Sequence, residues 1–509
     1  MSSNSQNNRR IAKNTLFLYF RTFIIMLISL YTSRAVLDVL GETDFGIYNL
    51  VGGIVVLFAF MNSAMAAATQ RYLNFELGRG NTEQVGRVFS MSVTAHICIA
   101  LLVFSLGETI GLWFILTQLN IPPERFGAAQ WVYQFSLLGC CVNILRIPYN
   151  ACIIAYERMS FYAYASIIEA VLRLLIVFVL VVGHMDTLVL YAILMFLVIG
   201  LVNVIYMAYC RRHFPISHYH YFWDKPLFKQ LMSFSGWSMF GSLATAGVGQ
   251  GMSILLNVFY GVSLNAALGI SHQVHAAVSS FVASFQTAFS PQIVKNYAAK
   301  QDKEFITLIC RSSRLSYCLV FLFAPALMVC INPILHTWLT IVPRYTEIFA
   351  MTTIILCMID ALSGPLWVSV QATGEIKTYQ ITLTMISLLN IPFMYIMLLL
   401  GFSPGWVVSV RVVISFIIHF VRLGYIGKNL NFPVGYYMKD VMVRVLSITL
   451  VSLPLSIFLY QFTNQLSTTV LVFAVLVIQN LILSLFIGLP RGECKAILSA
   501  TNKKLRQIF

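Results

Sequence analysis

The sequence predicts an all-α integral membrane protein of 14 transmembrane helices, built as two parallel six-helix repeats followed by two C-terminal helices. Three observations lead there: the composition, apolar runs of bilayer length along the whole chain, and a one-sided distribution of basic residues. Of 509 residues, 59% are hydrophobic and 10% are charged, against about 25% charged in a soluble globular chain. The mean hydropathy is +0.82. So few charged groups cannot clothe a water-facing surface, which excludes a soluble enzyme; the apolar content also excludes a disordered or collagen-like chain.

A bilayer core is crossed by about 20 apolar residues in helical form. In order, such runs fall near 14–37, 46–70, 88–107, 129–151, 161–182, 188–208 and 236–258. Seven more fall near 266–290, 306–329, 349–371, 381–400, 405–423, 441–460 and 468–488. The first run is too long for a signal-peptide core and lacks a small-residue cleavage site, so it is expected to stay as a span. The ten cysteines sit in apolar or basic surroundings and read as small buried hydrophobes rather than a disulfide framework.

Charge tests the span count. A net charge of +15 would suggest nucleic acid in a soluble protein; in a membrane protein, Lys and Arg collect in cytoplasmic loops, and no nucleic-acid partner is expected. With the N-terminus inside, the inside segments run from Arg9, Arg10 and Lys13 to Lys503, Lys504 and Arg506 and hold 25 of the 33 basic residues. The outside loops hold two, Arg125 and Arg344, alongside Asp38, Glu42, Asp44, Glu108 and Asp186. Both termini are therefore expected in the cytoplasm. The outside loops are also too short to hold the paired substrates of a membrane glycan polymerase or acyltransferase.

The chain repeats. A shift of 220 lays Gly41 on Gly261 and Phe20 on Phe240; a shift of 217 lays Cys140 on Cys357, Pro148 on Pro365 and Tyr162 on Tyr379. Six spans separate the copies, so both enter the membrane in the same sense, and substrate is expected between them. The domains read as 1–220 (spans 1 to 6), 221–430 (spans 7 to 12) and 431–509 (spans 13 and 14 with a cytoplasmic tail). Span 2 with Asn62 and Gln70, span 7 with Gln250 and Asn257, and span 8 with Ser271 and Gln273 are poor lipid partners. They either pack closely through small residues or line a wet cavity. Spans 13 and 14 have almost no polar face and belong against lipid.

No Walker-type loop is present, and Gly247, Gly249 and Gly251 follow no strand, so nucleotide chemistry is not indicated. No metal-ligand spacing and no cofactor motif appear. His272 and His275, one turn apart in span 8, make no metal site by themselves. Six basic residues remain inside spans, all arginine: Arg21, Arg34, Arg146, Arg173, Arg314 and Arg411. A charge at the bilayer centre costs about 2.5–3.5 kcal/mol, so each must be paired, snorkelling or facing water. Arg34 lies near the outer end, four residues before Asp38, a spacing that suits a structural pair. Two carboxylates share the spans, Glu169 and Asp360. Glu169 stands one turn before Arg173, which reads either as a structural ion pair or as part of a site. Six arginines against two acids leave a surplus of positive charge. That selects anions, and arginine favours two-pronged contact with phosphate or carboxylate.

The 6 + 6 + 2 arrangement, the opening Lys13-Asn14-Thr15 through Arg21, and the Gly41–Gly46–Tyr48 turn into a small-residue span resemble the polysaccharide exporters. These are the Wzx-type lipid-linked oligosaccharide flippases of the multidrug/oligosaccharidyl-lipid/polysaccharide superfamily. The resemblance covers the whole chain and rests on pattern. It implies a V-shaped bundle of two lobes in the bacterial inner membrane and no enzyme activity. The implied substrate is an undecaprenyl-diphosphate-linked oligosaccharide moved to the outer leaflet for surface polysaccharide. Partners would be that lipid-linked diphosphate, membrane lipid, and the polysaccharide polymerase and glycosyltransferases of the same route. In that reading Arg21, Arg173, Arg314 and Arg146 hold the diphosphate, with Arg34 and Arg411 as further binding residues. Glu169, Asp360, His272 and His275 would be coupling or counter-ion groups. Lipid II flippases of the superfamily carry an arginine in span 8, where His272 and His275 stand here. Multidrug exporters of the superfamily, the alternative function, need membrane carboxylates for cations.

Overall fold

The computed structural model describes residues 14, 17–29, 31–32, 35–36, 38–41, 44–45, 47–48, 51, 59–118, 122–182, 186–260, 263–339, 342–463, 465–490 and 492–494. Among these residues all regular structure is helical and no strand is present. The main helices are α1 (Phe17–Ser29), α2 (Ala59–Arg79), α3 (Thr82–Leu106), α4 (Phe126–Ala155), α5 (Met159–Val182), α6 (Thr187–His213) and α7 (Lys225–Tyr260). They continue as α8 (Ser263–Ala298), α9 (Asp302–Phe321), α10 (Thr346–Thr373), α11 (Lys377–Leu388, carried on by Asn390–Leu399), α12 (Pro404–Asn429), α13 (Val443–Tyr460) and α14 (Leu466–Leu483).

Eleven helices among the described residues are long and apolar enough to cross a membrane. The other three expected spans fall on α1, α2 and α8, which do not meet that measure. α1 is described over a short stretch, and α8, although 36 residues long, carries Ser271, His272, Gln273, His275 and Gln286. The protein is a multi-pass membrane protein.

Local sequence explains the helix ends. Gly80, with φ +75°, closes α2 in the left-handed region, and its N–H reaches back to Leu77 O at 3.2 Å. Asn81 then caps α3 by accepting from the Gln84 N–H at 3.1 Å. Asp186 caps α6 by accepting from Leu188 and Val189, while Arg211, Arg212 and His213 occupy its last turn, where cations suit the helix dipole. After α3 the helix loosens into a π-turn, Gly107–Gly111, and Tyr133 Oη donates to the Gly107 carbonyl at 2.7 Å. A Cβ at Gly111 would lie 2.1 Å from that hydroxyl, so only glycine fits there.

The chain divides into two compact units. Unit 1 comprises Met1–Leu243, Thr287–Lys300 and Gly374–Ile376; unit 2 comprises Ala244–Gln286, Gln301–Thr373 and Lys377–Phe509. The division thus runs through α7 and α8, and helices α13 and α14 belong to unit 2. In unit 1, α4 is central and packs against α2, α3 and α6; Val132, Tyr133, Leu137 and Ile144 form its buried seam. In unit 2, α10 takes the same place between α9 and α12. Pro148 lies inside α4 and Pro365 inside α10, so the repeat copies put the same helix-bending residue into the central helix of each unit. On α13 and α14, Leu450, Ile457, Val470 and Leu471 are 63–67% exposed, a surface suited to lipid.

Candidate functional site: an arginine-lined cavity in unit 1

Four helices of unit 1 enclose a cavity of about 540 Å³, within the ~300–1,000 Å³ typical of small-ligand sites. α1 contributes Arg21, α4 contributes Arg146 and Asn150, α5 contributes Tyr162, Ser166, Glu169 and Arg173, and α6 contributes Tyr191 and Tyr206. The α5 set follows from helix geometry: positions 162, 166, 169 and 173 recur at intervals of four, three and four, which stacks them on one face. On α4, Arg146 stands two residues before Pro148.

Glu169 is shared. Its Oε2 accepts from Arg146 Nη1 at 2.9 Å, and its Oε1 accepts from Arg173 Nη2 at 2.5 Å. The i,i+4 pair expected from sequence is therefore a three-member group, with the third member brought by α4. Arg21 is different. It lies over the Tyr162 ring, 4.5 Å from the centroid, and among the described residues it has no carboxylate partner. Among the described residues the lining holds three arginines against one glutamate, a surplus of two positive charges.

Three polar atoms of the lining are buried without a hydrogen-bond partner among the described residues: Arg21 Nε, Arg173 Nε and Asn150 Oδ1. Each such atom costs about 1–3 kcal/mol when left unsatisfied. Two donors on cations and one neutral acceptor match a ligand that presents anionic oxygens next to a hydroxyl. Tyr48 and Tyr191 complete the wall as an edge-to-face pair with centroids 4.7 Å apart.

Within unit 1 the structure brings together Arg21, Arg146, Arg173 and Glu169; Arg314 has carboxylate partners of its own in unit 2. That residue lies in unit 2 on α9, with its side chain 2% exposed. It bonds to Asp440, just before α13, and its Nη2 sits 2.9 Å from both Glu493 oxygens. The expected grouping of Arg314 with the diphosphate site is corrected on this point: a guanidinium with two carboxylate partners is a tie between α9 and the segments flanking α13 and α14. The expectation that the spans share only two acids overlooked Asp440 and Glu493, which stand at span ends.

Arg411 on α12 lies within electrostatic range of Asp360 on α10 and of His272 and His275 on α8, all in unit 2. Among the described residues Arg411 and Asp360 make no direct ion pair. Ser279 lies 3.4 Å from the His275 ring and 3.4 Å from Cys357, linking α8 to α10. Arg34 lies outside the described residues. No group of three or more potential metal ligands occurs among the described residues.

Sequence reasoning missed the tyrosines. Tyr162 entered it only as a repeat match to Tyr379 and Tyr48 only as part of the turn into span 2, and Tyr191 and Tyr206 did not enter it. The polar stripe on α5 was legible from its period alone.

No protein-family model and no curated protein matches the sequence. Solved structures do match in fold. A multidrug resistance MATE family transporter of the MOP superfamily, in an outward-facing conformation, superposes with a TM-score of 0.70 at 11% identity over 82% of this chain and 94% of that one. A MOP superfamily transporter from Pyrococcus furiosus, whose binding pocket is described as having reverse polarity, gives 0.69 at 12% identity over 84% and 96%. The Vibrio cholerae MATE transporter VcmN, solved as a point mutant, gives 0.68 at 17% identity over 85% and 98%.

Proposed function

We propose that this chain, which has the fold of the MATE/MOP transporters, is a flippase for an undecaprenyl-diphosphate-linked oligosaccharide. It would carry the headgroup from the cytoplasmic to the outer leaflet of the bacterial inner membrane for surface polysaccharide assembly. The observation that carries this reading is the unit 1 cavity, where three arginines face one glutamate and two arginine Nε donors lack partners. Arg21, Arg146 and Arg173 supply two-pronged donors to the diphosphate. Asn150, Ser166 and the tyrosine hydroxyls are hydrogen-bonding partners for the sugar next to it. The prenyl tail stays in lipid. Glycosyltransferases would supply the substrate and a polysaccharide polymerase would consume the product.

A second reading is multidrug export, favoured by the fold shared with MATE transporters. The sign of the cavity weighs against cationic drugs. Export of surface glycan in cells deprived of the native chain separates the two readings. Arg21→Ala and Arg173→Ala should strand the lipid-linked unit on the cytoplasmic leaflet at unchanged membrane levels. Arg21→Lys keeps the charge and loses the fork, so it should also lose most of the export. Normal export by both alanine variants would overturn the proposal.

A further inference from the structure

Glu169 holds a position that an anionic ligand would also want. It presents two oxygens to two different guanidinium groups, Arg146 on one helix and Arg173 on the next, at 2.9 and 2.5 Å. A phosphate presents the same pattern of oxygens at similar spacing. The group is not sealed in the core: the Arg173 side chain is 41% exposed and that of Arg146 is 23% exposed. Arg21, on the same cavity wall, has no carboxylate partner among the described residues and stacks on Tyr162.

We propose that Glu169 is a displaceable internal anion. It occupies the Arg146–Arg173 fork while the cavity is empty, gives way to a phosphate of the ligand on loading, and retakes the fork on release. This rests on the reading that the cavity binds an anionic headgroup. Arg21, which no carboxylate of the described residues engages, is the first contact for the incoming anion. Exchange with Glu169 then recruits the other two arginines. Without the placeholder, the empty cavity would expose three uncompensated cations inside the membrane, at considerable cost. Each loading event must also break the two Glu169 contacts, which lowers the apparent affinity and lets the ligand leave. A residue that merely braces the helices would instead support binding.

The two roles predict opposite signs. Full-length protein in nanodiscs, titrated calorimetrically with inorganic pyrophosphate as the probe, measures binding; surface glycan at matched membrane levels measures transport. Glu169→Gln removes the competing charge and should bind pyrophosphate about tenfold more tightly, while export falls severalfold because release is slowed. Glu169→Asp keeps the charge but cannot span both arginines, so its affinity should fall between wild type and the Gln variant. That variant decides the matter if the Gln protein does not fold. Unchanged or weaker binding in these variants, with wild-type binding intact and lost in Arg21→Ala, would make Glu169 a brace and overturn this inference alone. Wild-type protein that fails to bind pyrophosphate, or binds it as well with Arg21→Ala, would overturn the anion-site reading along with it.

Discussion

Arg21 and Arg314 show two ways in which an arginine is accommodated inside an apolar bundle. Arg314 is buried and carries Asp440 and Glu493, so its charge is neutralised within unit 2. Among the described residues, removing it leaves Asp440 with only Arg444 at 3.6 Å and Glu493 with only Arg311 at 3.5 Å, and losing the buried member of such a group costs up to about 3–5 kcal/mol. Arg314→Ala should therefore lower the thermal midpoint in detergent sharply and reduce the folded yield, while the folded fraction still binds pyrophosphate like wild type. Arg21 is held by a ring and, among the described residues, by no carboxylate. Its loss should leave stability nearly unchanged and remove transport. Finding the reverse assignment in the two melts and the export assay would exchange the roles given to these residues.

At the scale of elements, one cation ties three segments of unit 1. Arg125, entering α4, bonds to Asp44, in the segment between α1 and α2, and to Asp186, the N-cap of α6, at 2.5 Å. Burial raises the Asp186 carboxyl. The Arg125 hydrogen bond and charge, with the N–H groups of Val189 and Leu188, outweigh it and hold that carboxyl below its ordinary range. A depressed carboxylate stabilises the fold above its unfolded value, and the effect is lost as pH falls through the folded value. Arg125→Ala should therefore cost about 1–2 kcal/mol at neutral pH, discounted for the partly exposed Asp186. That difference should shrink below about pH 4. Melts of wild type and variant that stay equally far apart from pH 7 to pH 3 would remove the carboxylates as the source of the effect.

The molecule as a whole is constrained by its charge distribution along the chain. Arg79 ends α2, Arg212 lies in the last turn of α6 and Lys300 lies between α8 and α9. Reporter fusions at these three positions should report cytoplasm, and fusions near Asp186 and Ser403 should report the opposite side. An outside signal at Arg212 would break the order of two six-span repeats.

Composition and period alone determined that this protein is a membrane-embedded helical bundle. Helices in lipid must satisfy their own backbone and present apolar side chains over bilayer length, and both demands are written locally in sequence. The repeat was legible for the same reason, since Pro148 and Pro365 stand inside the central helices of the two units. The polar stripe of α5, from Tyr162 to Arg173, could be read from helical spacing, and so could the Glu169–Arg173 contact. What surrounds a buried charge could not. Arg146 reaches Glu169 from 23 residues away, whereas Asp440 and Glu493 reach Arg314 from 126 and 179 residues away. Periodicity carries no record of which helices become neighbours. Sequence spacing set apart only Arg34, near Asp38, and Arg173, near Glu169, and tertiary packing sorted the rest that it describes: Arg314 to a structural tie, and Arg21 and Arg146 to the cavity of Arg173.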